Sequence, residues 1–166
     1  FEALKRMVLP ELARAKLPAI RIWSAACASG QEPYSIAMIV NEYGREYPRH
    51  PLGNLQIVAT DVSSSILRNA QEGLYEDLAL ARGLTPDRRA KFFDQEGDKA
   101  RVKDIVRRHV TFQELNLITP FSGLGRFHVI FCRNVLIYFS DKNKSDILDR
   151  IANVLDPNGY LFLGGS

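Results

Sequence analysis

The chain has 166 residues, 46% of them hydrophobic, which is enough for one domain with a hydrophobic core. Its net charge of +3 comes without a stripe of basic residues, and this argues against a protein that binds nucleic acid. No segment is apolar over the length of a membrane span, and we expect no signal peptide.

Two cysteines, Cys27 and Cys132, end predicted strands and could pair only if the structure brings them close. A domain of this size does not need a disulfide scaffold, so we expect free thiols and a cytoplasmic protein. The chain begins inside a predicted helix and ends just after a predicted strand. We therefore expect it to be a segment of a larger protein.

The first predicted helix covers residues 1–9, and Pro10 breaks or restarts it. Residues 20–38 form the central unit, in which a β-branched and aromatic strand leads through a run of small residues into a helix. Pro33 suits the first helical position, and Glu32 suits the positive end of the helix dipole. We expect this helix to end near Gly44. The order of strand, turn and helix is typical of the first unit of a nucleotide-binding α/β sheet.

The turn of this unit has two interpretations: a site for a nucleotide-like ligand, or an ordinary tight turn. The G-x-G-x-x-G pattern is absent, since Gly30 is the turn's glycine. Glu32 beside the turn would repel a phosphate, so a cationic or hydroxyl-rich ligand fits better. S-adenosylmethionine has both properties.

A second strand is predicted at residues 55–60, with Asp61 at its end, and the serines at 63–65 supply an N-cap for the next helix. An acidic residue at this place commonly accepts hydrogen bonds from ribose hydroxyls. The alternative is a role as a cap or turn residue. We favour the ribose role because of the unit that precedes it.

Residues 91–109 interrupt the alternation of strands and helices, and we expect a small β-subdomain there, inserted at the rim of the sheet. Its two short strands are joined by a turn at Gly97. Arg101, Arg107 and Arg108 lie in this insertion. They form either a solvated charged face or a docking surface for an acidic partner.

Further strands are predicted at residues 110–114, 127–132 and 160–163, with a helix that begins at Ser140 or Asp141. The fold class is therefore α/β, a Rossmann-like and mainly parallel sheet in strand order 3-2-1-4-5 with a small β-hairpin insertion. The ligand is expected at the carboxyl ends of the strands. The three histidines are scattered, and no metal site is expected.

Several stretches together resemble one family: WSAACASGQEPYSIA, ATDVSSSIL, the ELNL segment, FCRNVLIYF and LDPNGYLFLGGS. In this order they are similar to the catalytic domain of the chemotaxis receptor methyltransferases, the CheR family. The resemblance covers nearly the whole chain. It implies the Rossmann-like methyltransferase fold, and it implies methyl transfer from S-adenosylmethionine to glutamate side chains of chemoreceptors, which gives methyl esters and S-adenosylhomocysteine. The helical domain, the T-x-F-F-R-type segment and the last strands of the family pattern are expected outside these residues, which leaves the activity of the segment by itself open.

The resemblance also implies the site residues. Those expected to contact the cofactor are Ala26, Glu32, Asp61, Asn116, Leu117, Arg133, Asn134 and Val135. Tyr138 either lines the methyl-transfer site or belongs to the core. Arg101, Arg107 and Arg108 are expected to face the receptor, because the insertion corresponds to the family's β-subdomain.

The expected partners are the cytoplasmic domains of chemoreceptors, with no nucleic acid, no membrane insertion and a monomeric state. Two alternatives stay open: a methyltransferase for another acceptor, such as a small molecule or RNA, and a non-catalytic module that senses the cofactor or docks receptors.

Overall fold

The computed structural model describes residues 1–164, and a five-stranded parallel sheet forms its centre. In chain order the elements are a π-helical turn Leu4–Val8, α1 Leu9–Arg14, β1 Ala19–Ala25, α2 Gln31–Glu46, β2 Asn54–Asp61, α3 Ser64–Glu72, β3 Leu74–Glu76, α4 Asp77–Ala81, α5 Pro86–Phe92, β4 Phe93–Glu96, β5 Lys99–Val102, α6 Asp104–Arg107, β6 Val110–Glu114, a 3₁₀ turn Ser122–Leu124, β7 Phe127–Cys132, a 3₁₀ turn Leu136–Tyr138, α7 Asp141–Val154 and β8 Leu155–Leu163.

The strand order of the sheet is β6-β2-β1-β7-β8, which confirms the predicted order 3-2-1-4-5. β1 pairs in parallel with β2 on one side and with β7 on the other, so Trp23 lies between Val58 and Ile130. The chain first adds β2 and β6 on one side of β1, and it later adds β7 and β8 on the other side. This reversal creates a crevice at the carboxyl ends of the strands, where ligands bind in open α/β sheets.

Both faces of the sheet are covered, which is why its strands are nearly continuous apolar runs. On one face Ile22, Ile57 and Val129 pack against side chains of α1 and α2. On the other face Trp23 and Ile130 pack against α7. The Trp23 ring is fully buried. The residues at the strand ends are therefore held by packing on two sides.

The helix α2 ends later than the sequence predicted, because Gly44 lies inside it and the helix continues to Glu46. Tyr43 is buried, and its carbonyl accepts the amide of Tyr47 at 2.8 Å. An internal glycine costs a helix only about 1 kcal/mol, which packing of the neighbouring turn outweighs.

The insertion forms a separate antiparallel sheet in the order β3-β5-β4. Two of its strands match the predicted hairpin, and Gly97 forms their turn with a φ of 64°. The third strand, β3, was not predicted; in it Tyr75 pairs with Ala100. Across residues 1–164 no helix has the length and apolar character that crossing a bilayer requires.

Candidate functional site

Four loops follow the carboxyl ends of β1, β2, β6 and β7 at one edge of the sheet. The residues that the sequence singled out for a cofactor lie in these loops, in the first turn of α2 or, for Asp61, at the last position of β2. The arginines assigned to the receptor lie elsewhere, in or beside the small antiparallel sheet. We call the edge with the four loops the carboxyl-end crevice.

The turn after β1 has three residues in the left-handed backbone region: φ is 54° at Ala26, 48° at Ala28 and 91° at Gly30. Such a φ costs a residue with a Cβ roughly 1–2 kcal/mol, so the surrounding structure must impose it. One such restraint is the amide of Cys27, which donates to the Thr60 carbonyl at 2.8 Å. Small side chains leave the backbone of the turn accessible, and Ala28 is exposed.

A second restraint on this turn comes from the small antiparallel sheet. The Tyr75 hydroxyl donates to the Ser29 carbonyl at 2.6 Å. A Cβ added at Gly30 would lie 3.0 Å from the Ala70 Cβ and 3.2 Å from the Tyr75 hydroxyl oxygen. The insertion therefore supports the turn directly and is part of the site's scaffold.

Glu32 lies in the first turn of α2 and directs its carboxylate toward the end of β1. Its Oε1 accepts a hydrogen bond of 2.8 Å from the hydroxyl of Ser24, and its Oε2 is 3.7 Å from Nη1 of Arg133. Burial raises the pKa of Glu32, and the Ser24 hydrogen bond and the Arg133 charge both oppose that rise. The Arg133 guanidinium also lies 5.4 Å from the ring centroid of Phe1. The carboxylate is thus partly desolvated and held from two strands.

Asp61 is the last residue of β2, and each of its carboxylate oxygens accepts one backbone amide. Oδ2 accepts from Ala28 at 2.9 Å, and Oδ1 accepts from Ser63 at 3.0 Å. The first bond ties Asp61 to the turn after β1, and the second starts the cap of α3. A carboxylate has about four acceptor positions, so about two remain for a ligand.

The loop after β6 holds Asn116 and Leu117 in different ways. Asn116 is exposed, and its Oδ1 accepts the amide of Ile118 at 3.0 Å. Leu117 is 5% exposed and packs in the same cluster as Trp23. The Leu117 side chain therefore belongs to the core, whereas the Asn116 side chain is open to solvent.

The loop after β6 is also held by Arg150 of α7. Its Nη1 donates to the carbonyls of Ile118 at 2.9 Å and Thr119 at 2.6 Å, and its guanidinium lies 5.3 Å from the Phe121 ring centroid. The sequence analysis missed Arg150, since a helical arginine at the surface gives no sign of its partners.

The loop after β7 presents Asn134, Val135 and Tyr138. Asn134 is exposed with a left-handed φ of 57°, and Val135 is half-buried against the α7 side of the core. Tyr138 is 79% exposed, so the structure places it outside the core. A Cβ added at Gly164 would lie 2.8 Å from Oδ1 of Asn134, which shows how closely the end of β8 approaches this loop.

The three arginines assigned to the receptor are not equivalent. Arg101 donates to both carboxylate oxygens of Glu96 at 2.6 and 2.9 Å, and to the carbonyl of Glu72 at 2.7 Å. Arg107 and Arg108 line a groove of about 500 Å³ beside β6, and Arg108 is exposed. Arg107 has an acidic neighbour as well, since its Nη1 lies 3.7 Å from Oδ1 of Asp104. The structure therefore brings Arg107 and Arg108 together at the groove, while Arg101 and Arg107 each lie in a local ion pair.

The two cysteines are free and buried. Burial raises the pKa of the Cys27 thiol to about 12 and that of the Cys132 thiol to about 11, so both stay protonated at neutral pH. Within residues 1–164 no group of three or more His, Cys, Asp or Glu side chains is arranged to hold a metal ion.

Comparison with solved structures defines the class of fold. The chain is similar to the glycopeptide N-methyltransferase MtfA, with a TM-score of 0.54, 14% identity, and coverage of 96% of this chain and 52% of that one. It is also similar to an S-adenosylmethionine-dependent methyltransferase from Mesorhizobium loti, with a TM-score of 0.50, 17% identity, and coverage of 92% and 51%. The fold is that of the Rossmann-like S-adenosylmethionine-dependent methyltransferases.

Sequence comparison then identifies the family. The model of the family described as "CheR methyltransferase, SAM binding domain" matches residues 1–166 of this chain. Chemotaxis protein methyltransferase 1 of Pseudomonas aeruginosa is 50% identical over 168 residues, which cover all of this chain and 61% of that protein. The chemotaxis protein methyltransferase of Vibrio parahaemolyticus is 50% identical over 167 residues, with 100% and 60% coverage. The chain belongs to the CheR methyltransferase family and spans about three-fifths of the length of these curated relatives.

Proposed function

We propose that the full-length protein transfers a methyl group from S-adenosylmethionine to glutamate side chains of chemotaxis receptors, producing glutamate methyl esters and S-adenosylhomocysteine. The observation that carries the proposal is the pair of anchored carboxylates, Glu32 and Asp61, at the ends of the two adjacent strands β1 and β2 in a domain of the CheR family. The relatives named above are chemotaxis methyltransferases, which supports the same class of substrate.

The chemistry of these groups fits S-adenosylmethionine. The remaining acceptor positions of Asp61 can take the two hydroxyls of a ribose. Glu32 gives the crevice a negative charge, which suits a ligand that carries a sulfonium and an ammonium group. In the left-handed turn, Ala26 is half-buried and Ala28 is exposed, which lets the ligand approach the backbone. We assign Asn116, Leu117, Arg133, Asn134 and Val135 to the walls of the same cofactor site.

The reaction needs position more than it needs a base. A glutamate side chain has a reference pKa near 4.3 and is ionised at neutral pH, so its oxygen is already a nucleophile. The cofactor, when bound, supplies a methyl group on a cationic sulfur that leaves as a neutral thioether. The loops of this chain have to hold the acceptor oxygen in line with that methyl group and exclude water, which is worth roughly 7–11 kcal/mol in favourable cases. We assign Tyr138 to the acceptor side of the site, because its exposed ring lies in the loop after β7.

We assign the receptor-facing surface to Arg107 and Arg108, with Arg101 behind them in the antiparallel sheet. Receptor methylation regions present several carboxylates, and the groove beside β6 offers the complementary charge. Exposed charges are screened within about 10 Å at 0.1 M salt, so this surface should speed encounter more than it tightens binding. The reaction is proposed to take place in the cytoplasm, where these receptor domains lie.

Transfer of a labelled methyl group to a receptor cytoplasmic fragment tests the proposal. We expect incorporation that depends on receptor glutamates and is released as methanol in alkali, because esters hydrolyse and N-methyl groups do not. Stable label would indicate another acceptor chemistry, and label on RNA or a small molecule would indicate another substrate. Binding of S-adenosylhomocysteine without any incorporation would instead support a cofactor-sensing or receptor-docking module.

A further inference from the structure

Two polar side chains lie in the buried core of residues 1–164, and both belong to the ends of the strands below the crevice. Ser24 is 0% exposed on β1, and Thr60 is 1% exposed on β2. Their positions are adjacent in the sheet, since Ser24 pairs with Ala59 and Ala25 pairs with Thr60. A buried hydroxyl costs free energy unless it is hydrogen-bonded, so each position calls for a partner.

The two hydroxyls have different partners. Thr60 Oγ1 accepts the indole N–H of Trp23 at 2.9 Å, a bond that lies wholly inside the core. Ser24 Oγ donates at 2.8 Å to the carboxylate of Glu32, which reaches the crevice. One hydroxyl therefore completes the core, and the other supports a candidate ligand-binding group.

We propose that Ser24 is a positioning residue: its buried hydroxyl fixes the Glu32 carboxylate in the orientation and charge state that bind the cationic ligand. The inference rests on the function proposed above. It adds a residue that contacts no ligand and acts through Glu32.

The charged and titratable groups around Glu32 explain why one hydroxyl matters. Arg133 is 3.7 Å away, beyond the length of a hydrogen bond, and approaches Oε2. Cys27 and Cys132 face the carboxylate as neutral thiols, because burial raises the pKa of both. Among these groups Ser24 is the one that donates a hydrogen bond to the carboxylate, at Oε1. Without that bond the partly desolvated carboxyl should take up a proton at higher pH.

The test is calorimetric titration of the full-length protein with S-adenosylhomocysteine from neutral pH down to the lowest pH at which the protein stays folded, because burial raises the pKa of Glu32. We expect Ser24→Ala to move the midpoint of acid weakening up by about one pH unit, and therefore to lower affinity by about tenfold on the acid side of the wild-type midpoint. Ser24→Thr keeps the hydroxyl and should restore the midpoint. Glu32→Gln should abolish this pH dependence, and adding Ser24→Ala to it should change the pH profile no further.

Thr60→Val is the matched control, because it removes the other buried hydroxyl and lowers stability without changing the Glu32 environment. It should leave the pH midpoint where it is in the wild type. An unchanged midpoint in Ser24→Ala would overturn the inference even if affinity falls, since a general loss of packing would explain that. If the wild-type protein binds no S-adenosylhomocysteine at all, the proposed function fails. In that case the carboxyl pKa of Glu32, measured by NMR in the free protein, still decides whether Ser24 sets its charge, because Ser24→Ala should raise that pKa by about one unit.

Discussion

Replacement of Asp61 by alanine should affect both the ligand and the fold, and the structure predicts the size of each effect. The two amide bonds, from Ala28 at 2.9 Å and Ser63 at 3.0 Å, hold the turn after β1 against the start of α3. Without Asp61 the amide of Ala28, an exposed residue, can donate its hydrogen bond to water, so we expect the free energy of unfolding to fall by about 1–2 kcal/mol. Loss of the charge-assisted hydrogen bonds to a ribose should weaken the binding of S-adenosylhomocysteine by about 1.5–3 kcal/mol, or roughly 10–150-fold in the dissociation constant.

Calorimetry on protein shown to be folded measures the dissociation constant, and denaturant unfolding measures the stability of the same sample. Ser63→Ala provides the control. It removes the N-cap bond in which Ser63 Oγ accepts the amide of Ile66 at 3.3 Å, and a lost N-cap costs about 0.5–2 kcal/mol. This variant should lose comparable stability and keep its affinity. If Asp61→Ala also keeps its affinity, Asp61 is a capping residue and the ribose assignment is wrong.

Four more substitutions test three separate parts of the structure. Arg108→Glu should slow receptor methylation chiefly at low salt and leave the affinity for S-adenosylhomocysteine unchanged, because Arg108 is exposed. The control Arg101→Glu should mainly lower the melting temperature, because it breaks the ion pair with Glu96. If wild type and Arg108→Glu methylate receptors at the same rate in low salt, the groove is only a solvated face. Arg150→Met should release the loop after β6 and weaken the binding of S-adenosylhomocysteine by about 3–10-fold, measured by calorimetry. Unchanged affinity would show that Arg150 only stabilises the fold. Thr60→Val should lower the free energy of unfolding by about 1–3 kcal/mol, measured with denaturant, because it leaves the buried indole N–H of Trp23 without its acceptor. An unchanged free energy of unfolding would mean that a water molecule accepts that N–H.

Local sequence patterns predicted the parts of the fold that depend on local physics. The third and fourth strands of the parallel sheet occupy the predicted residues, 110–114 and 127–132, because continuous apolar runs between turns have few other solutions. The structure selects Ser63 from the predicted capping serines at 63–65, and Ser140 from the two predicted helix starts, as N-caps; such caps are predictable because an N-cap bond spans only three residues.

Elements defined by distant partners were harder to predict. Strand β3 has three residues and exists because β5 pairs with it. Strand β8 begins at Leu155, five residues before the predicted start at residue 160, and a register irregularity between Phe127 and Val129 accompanies the longer pairing. No local pattern encodes either pairing.

The candidate site shows the same division. Glu32 and Asp61 were found because they occupy informative places next to a strand and a helix. Their contacts were not predicted: Ser24 on β1 and Arg133 in the loop after β7 both approach Glu32, and Arg150 of α7 holds the loop after β6. A single sequence gives the position of a functional group in an element, but the tertiary fold selects the groups that orient it.

The left-handed turn after β1 allows a test in which the same substitution should have opposite signs at two sites. Ala28 has a φ of 48° and an exposed side chain, so Ala28→Gly relieves roughly 1–2 kcal/mol of backbone strain and loses little packing. Glycine also adds freedom to the unfolded chain, which offsets about 0.5–1 kcal/mol, and we expect a net gain of up to about 1 kcal/mol in denaturant unfolding. Ala152 is exposed within α7, where the same change should cost about 1 kcal/mol. S-adenosylhomocysteine affinity should fall in Ala28→Gly alone, because a freer turn presents its backbone to the ligand less often. Equal destabilisation by both substitutions would show that the turn in solution does not hold Ala28 in the left-handed region.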